Sequence, residues 1–82
     1  MISSINEIQH RLQGIFRDIF DDETLILTNE TSSENFEEWD SLAQINIIAV
    51  CESEFAVKFS LNDIVGVRNA GDIVELIAAK SK

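Results

Sequence analysis

Apolar residues recur at helical spacing in three stretches of this chain and keep strand spacing nowhere for a useful length, which points to packed helices. In the first stretch Ile5, Ile8, Leu12, Ile15, Phe16, Ile19 and Phe20 fall on one stripe, opposite Glu7, His10, Arg11, Gly14, Arg17 and Asp18. Ser4 and Glu7 have capping-box spacing, the serine accepting from the backbone and the glutamate reaching back, so a helix is expected over about 4–20. Gly14 costs up to about 1 kcal/mol against alanine there, too little to break it.

A second helix is expected over about 41–55, with Ile45, Ile48, Cys51 and Phe55 lining one face. Leu42, Asn46, Ala49 and Val50 lie on a different face, with Ile47 at the border. A helix apolar beyond one stripe is either buried on several sides or meets a partner, and so small a domain favours the partner-facing strip. Ser60, with Asp63 three residues on, opens a short helix that Gly66 would end. Asn69 can cap a last helix that buries Ala70, Ile73, Val74 and Ile77, and Lys80 and Lys82 suit its C-terminal dipole. Ala56-Val57-Lys58-Phe59 is the strongest strand candidate, but it is short and has no segment to pair with. The expected fold is therefore all-α: a four-helix bundle of three longer helices and one short one, with a long loop between helices 1 and 2. Its expected core is Ile8, Leu12, Ile15, Ile19, Ile45, Ile48, Phe55, Ile73 and Ile77.

With 82 residues there is room for one domain, 1–82, and one modest core. The 45% hydrophobic and 26% charged content suits a packed domain. Met1-Ile2-Ser3-Ser4 lacks the basic and apolar regions of a signal peptide, and no run approaches the roughly 18 apolar residues of a membrane span. The expectation is a soluble, cytoplasmic protein. One cysteine and one histidine leave too few ligands for a structural zinc site, and no other metal site is expected. The acids from Asp21 to Glu30 lack the glycine and alternating oxygens of an EF-hand loop.

The net charge of −9 argues against nucleic acid and anionic membranes as partners and favours partners with basic patches. The charge is uneven: residues 1–40 hold ten acids and two bases, residues 41–82 five acids and four bases. Between Asp21 and Asp40 there are eight acids and no base. This segment reads either as a solvated loop or as a steering field, with Glu34, Glu37, Glu38 and Asp40 just ahead of the second helix. A connection near 20 residues is commonly functional, and Phe36 and Trp39 are expected to anchor it to the core.

That connection ends in Trp39-Asp40-Ser41-Leu42. With Asp40 as N-cap, its carboxylate serves the free amides of the first turn and Ser41 takes the first helical position, hydroxyl outward. No histidine lies near it in sequence, so it is badly placed to be an enzyme's own nucleophile and well placed to be modified by another enzyme. A phosphodiester there would lie at the positive end of the helix dipole. Asp-Ser is also a common helix start, and taken alone it need signify nothing more. His10 reads as solvated, and Cys51 as a core cysteine.

The layout of helix, long loop, Asp40-Ser41-Leu42 helix, short helix and helix covers nearly the whole chain and resembles the acyl carrier protein family. The likeness includes Ile45, Ile47, Ile48, Cys51, Glu52, Glu54, Phe55, Val57 and Phe59, then Asp63-Ile64 before the final helix. It implies that Ser41 carries 4'-phosphopantetheine, esterified from coenzyme A by a phosphopantetheinyl transferase with a divalent cation. It implies a monomeric carrier, not an enzyme. Such a carrier holds acyl intermediates as thioesters for fatty acid, polyketide or related biosynthesis. Its partners would be acyl-loading and acyl-transferring enzymes with basic or apolar docking surfaces. Asp40 and Leu42 match the motif as flanking recognition residues, and Asn46, Val50, Glu37 and Glu38 are further candidates for partner recognition.

Two departures favour a specialised over a housekeeping member. Early positions of the second helix that are usually acidic in fatty acid synthesis are Ala43, Gln44 and Asn46, leaving Glu52 and Glu54 near its end; and Trp39 stands where a small residue is more usual. An aminoacyl carrier and an unmodified acidic adaptor that only binds a protein are the alternatives.

Overall fold

Residues 4–80 are described by the computed structural model, in which four helices follow one another: α1 (Ile5–Phe20), α2 (Ser41–Phe55), α3 (Leu61–Val65) and α4 (Ala70–Lys80). No strand occurs among the described residues, and 57–60 is a connection without regular structure. The expectation for Lys82 lies outside the described residues.

Local chemistry starts each helix. The Ser4 hydroxyl accepts from the Glu7 N–H at 3.1 Å, and the Asp40 carboxylate from the Ala43 N–H at 2.9 Å. Ser60 and Asp63 form a reciprocal capping box. Asp63 also pairs with Lys80 of α4 at 3.0 Å, and the Ser60 amide followed by Lys80 holds its carboxyl below the usual aspartate range. Asn69 accepts from the Asp72 N–H at 2.9 Å, while the amides of Ala70 and Gly71 donate to the carbonyls of Thr31 and Asn29.

α1 packs against both α2 and α4. The core joins Ile8, Leu12, Ile15 and Phe16 of α1 to Ile47, Cys51 and Phe55 of α2 and Ile73, Val74 and Ile77 of α4. Two expected core positions change: Ile45 is 64% exposed, and Ile19 packs only partly buried against the core. Ile5, at the start of the α1 stripe, is exposed as well. Ile47, read as a border residue, is fully buried. Because α2 is apolar on more than one side, its periodicity does not select a face. The position of α1 selects the one carrying Ala43, Ile47, Ile48, Cys51 and Phe55.

The long connection is ordered by α1. Gln9, Gln13 and Arg17 lie one turn apart on a single ridge, where i and i+4 side chains line up. Gln13 accepts from the Leu27 N–H at 2.9 Å, Gln9 donates to the Leu27 carbonyl, and Arg17 donates to the Leu25 carbonyl at 2.8 Å. Leu25 and Leu27 turn inward and Ile26 outward, the alternation of an extended segment. At the other end Phe36 meets Phe20 edge-on, and Trp39 meets Phe16 in the same way at 5.1 Å. Gly71 lets the loop approach α4: a Cβ there would sit 3.0 Å from the Asn29 Cβ.

Ala56, the C-cap of α2, has φ 55°, a left-handed conformation that costs a residue with a Cβ about 1–2 kcal/mol. Glycine removes that strain and returns about 0.4–1 kcal/mol as extra freedom of the unfolded chain. Ala56→Gly should therefore stabilise the domain by up to about 1 kcal/mol. The urea midpoint should rise with the slope unchanged; a fall would show that the Ala56 methyl packs usefully.

Candidate functional site

Asp40 has extended backbone, and its side chain turns back onto the first turn of α2, which commits the carboxylate to the Ala43 amide. Ser41 is the first residue of α2 and is exposed. Its hydroxyl makes no hydrogen bond among the described residues. The only histidine, His10, is exposed on α1. Cys51 is buried in the core, where desolvation pushes its thiol up to about 12, so it stays a neutral thiol at physiological pH. Among the described residues the carboxylate beside Ser41, that of Asp40, is committed to the Ala43 amide, and no histidine or cysteine lines the groove with it. What it offers is an accessible alcohol at a rigid helix start, with free amides beside it, and that suits a hydroxyl that carries a phosphodiester.

Trp39 fixes this corner. It is 5% exposed, and its Nε1–H donates to Gln44 Oε1 at 2.6 Å, bridging the end of the loop to the second turn of α2. Beside it lies an open groove of about 530 Å³, lined by Ser33, Trp39, Ser41, Gln44, Val67 and Arg68 among others. Ser41 thus stands where α2, the long loop and the α3–α4 connection meet. Gln44, Val67 and Arg68 carry no motif. Val67 and Arg68 lie far from Ser41 in sequence, and only the fold brings them there.

The other candidate residues divide by location. Leu42 is 69% exposed, and Asn46, Ala49 and Val50 are exposed as well. Ile45 joins them, so the apolar strip on α2 is wider than the sequence suggests. Glu37 and Glu38 are exposed on the loop, and their carboxylates form no hydrogen bond or ion pair among the described residues. The acids at the far end of α2 are engaged. Glu52 accepts from the Phe59 N–H at 2.9 Å, and Glu54 pairs with Arg11 at 2.6 Å. The guanidinium of Arg11 also covers the Phe55 ring. No group of described residues could hold a metal ion, and no helix among them is long and apolar enough to cross a membrane.

A scan of protein-family models and a search of curated proteins found no match. Among solved structures the chain is similar to the solution NMR structure of a holo acyl carrier protein from Geobacter metallireducens. The two are 37% identical over 89% of this chain and 84% of that one, with a TM-score of 0.83. Identity at that level over nearly the full length of both chains goes beyond a shared helical layout: this chain belongs to the acyl carrier protein family.

Proposed function

We propose that this carrier holds 4'-phosphopantetheine on Ser41 and presents thioester-bound acyl groups to a succession of partner enzymes. The observation that carries the reading is the exposed, unbonded Ser41 hydroxyl at the start of an Asp40-capped helix. During loading the Ser41 Oγ–phosphorus bond forms and the phosphoanhydride bond of coenzyme A breaks, releasing adenosine 3',5'-bisphosphate. With the Asp40 carboxylate committed to the Ala43 amide, the transferase takes the hydroxyl proton. Asp40 keeps the helix start rigid and Ser41 outward. Once attached, the arm supplies the thiol that holds the cargo. The test is intact mass after incubation with coenzyme A and a broad-specificity phosphopantetheinyl transferase. A gain of one phosphopantetheine supports the carrier; an unchanged mass with several transferases supports an unmodified adaptor.

The same reading divides partner recognition between two surfaces. Glu54 is neutralised by Arg11 and the Glu52 carboxylate is turned onto the Phe59 amide, so the uncommitted carboxylates ahead of α2 are those of the loop, and the α2 strip of Leu42, Ile45, Ala49 and Val50 is apolar. Long-range attraction sets the on-rate, and apolar contact sets the lifetime of the complex. Charge reversal at Glu37 and Glu38 should slow association with the transferase about tenfold at low salt, and less as salt is added. Leu42→Asn or Val50→Asn should instead speed dissociation about tenfold, with little salt dependence, as expected for losing a buried aliphatic contact. Surface plasmon resonance across a salt series separates the two. A larger effect on association from reversing Glu52 and Glu54 would place the steering at the far end of α2.

A further inference from the structure

We propose that Arg68 positions the arm: its guanidinium takes the phosphodiester on Ser41 and holds the arm against the Val67 wall of the groove, away from the acidic loop. The inference rests on the carrier reading of Ser41. Arg68 is the one cation among the residues lining the groove that Ser41 also lines, and its side chain is 84% exposed. The cations Arg11, Arg17 and Lys80 are committed elsewhere, to Glu54, the Leu25 carbonyl and Asp63. Asp72 accepts from the Arg68 backbone N–H at 2.9 Å and approaches its Nε at 3.4 Å. That contact tethers the side chain by one edge and leaves both terminal nitrogens without a partner among the described residues.

Loading adds a negative charge to a corner already crowded with acids. Glu34, Glu37, Glu38 and Asp40 precede Ser41 on the loop and repel an anion placed there. Across the groove Arg68 attracts it. A guanidinium presents paired N–H groups that match the two non-bridging oxygens of a phosphodiester. Gln44, which also lines the groove, has its oxygen occupied by Trp39 and could offer only the neutral N–H groups of its amide, without the charge that Arg68 brings. Repulsion from the acidic loop, whose Asp40 lines the groove, and attraction to Arg68 set the direction in which the arm leaves Ser41.

The test compares apo and holo protein by NMR, with loading verified by intact mass. The Arg68 Nε–H resonance should shift on loading, and the shift should shrink near 1 M salt, where screening acts within about 3 Å. The phosphorus resonance of the arm should move most in Arg68→Gln and less in Arg68→Lys, because lysine keeps the charge but loses the paired N–H groups. An Arg68 resonance that ignores loading in the parent protein overturns the proposal with no variant needed. So does equal behaviour of the lysine and glutamine variants. A protein that never gains the arm sinks the carrier reading as well, whereas a loaded protein with an indifferent Arg68 sinks this inference alone.

Discussion

Ser41→Ala should abolish loading with phosphopantetheine completely while leaving the helical circular dichroism signal and the melting temperature nearly unchanged. Asp40, not Ser41, caps α2, and its bond to the Ala43 amide does not involve the Ser41 side chain. Alanine is a good helix former, and the Ser41 hydroxyl has no partner to lose. An exposed substitution of this kind changes stability by about 0.5 kcal/mol or less. Loading, in contrast, loses its acceptor atom, so the loss is total. The other serines provide internal controls. The hydroxyls of Ser32 and Ser60 accept from the amides of Glu34 and Asp63, whereas Ser33 is exposed and lines the same groove as Ser41. Residual modification in Ser41→Ala, by intact mass and peptide mapping, would overturn the assignment, and Ser33 is where to look for it first. Asp40→Ala should act differently. Loss of an N-cap costs about 0.5–2 kcal/mol, so that variant should melt earlier while keeping the acceptor hydroxyl.

The contrast between these variants reflects what was legible in the sequence. Caps are local chemistry: Ser4, Asp40, Ser60 and Asn69 each bond an amide three residues on, so spacing alone reveals them. The stripe on α1 was legible because its opposite face is polar. On α2 no polar face constrains the choice, so spacing alone points Ile45 inward and leaves Ile47 at the border, whereas the fold exposes the first and buries the second. Which side of α2 is buried depends on contact with α1, a fact that exists only in the folded chain. The loop is a similar case. Its aromatic anchors, Phe36 and Trp39, stood out as large apolar residues in a polar stretch. The ridge of Gln9, Gln13 and Arg17 that bonds its backbone did not, because those side chains look like an ordinary solvated helix face. Arg68 reaches the Ser41 groove through the α3–α4 connection, and no spacing rule joins it to the Asp40-Ser41-Leu42 motif.

Trp39→Ala should cost about 3–5 kcal/mol, the range for removing a large buried aromatic side chain. A domain of 82 residues has a total stability of roughly 4–12 kcal/mol at about 0.05–0.15 kcal/mol per residue, so much of the variant could be unfolded at room temperature. Three effects add here. The indole is 5% exposed, so its removal leaves a cavity beside Phe16. The edge-on contact with Phe16 is lost, and with it the end of the aromatic run through Phe20 and Phe36 that ties the loop to α1. The bond from Nε1 to Gln44 disappears too, though water can replace it at this partly buried position. Trp39→Phe keeps most of the volume and the aromatic contact, so it should cost less than half as much. Trp39 is the only tryptophan, so the parent protein should show blue-shifted emission that moves red on unfolding, while the variants must be followed by circular dichroism. If Trp39→Ala left the urea midpoint where it is in the parent, the indole would not be part of the core. The rigidity of the Asp40-Ser41 helix start would then have to come from α2 alone. If the midpoint falls but the folded fraction still loads at the parent rate, Trp39 holds the corner together without touching the transferase.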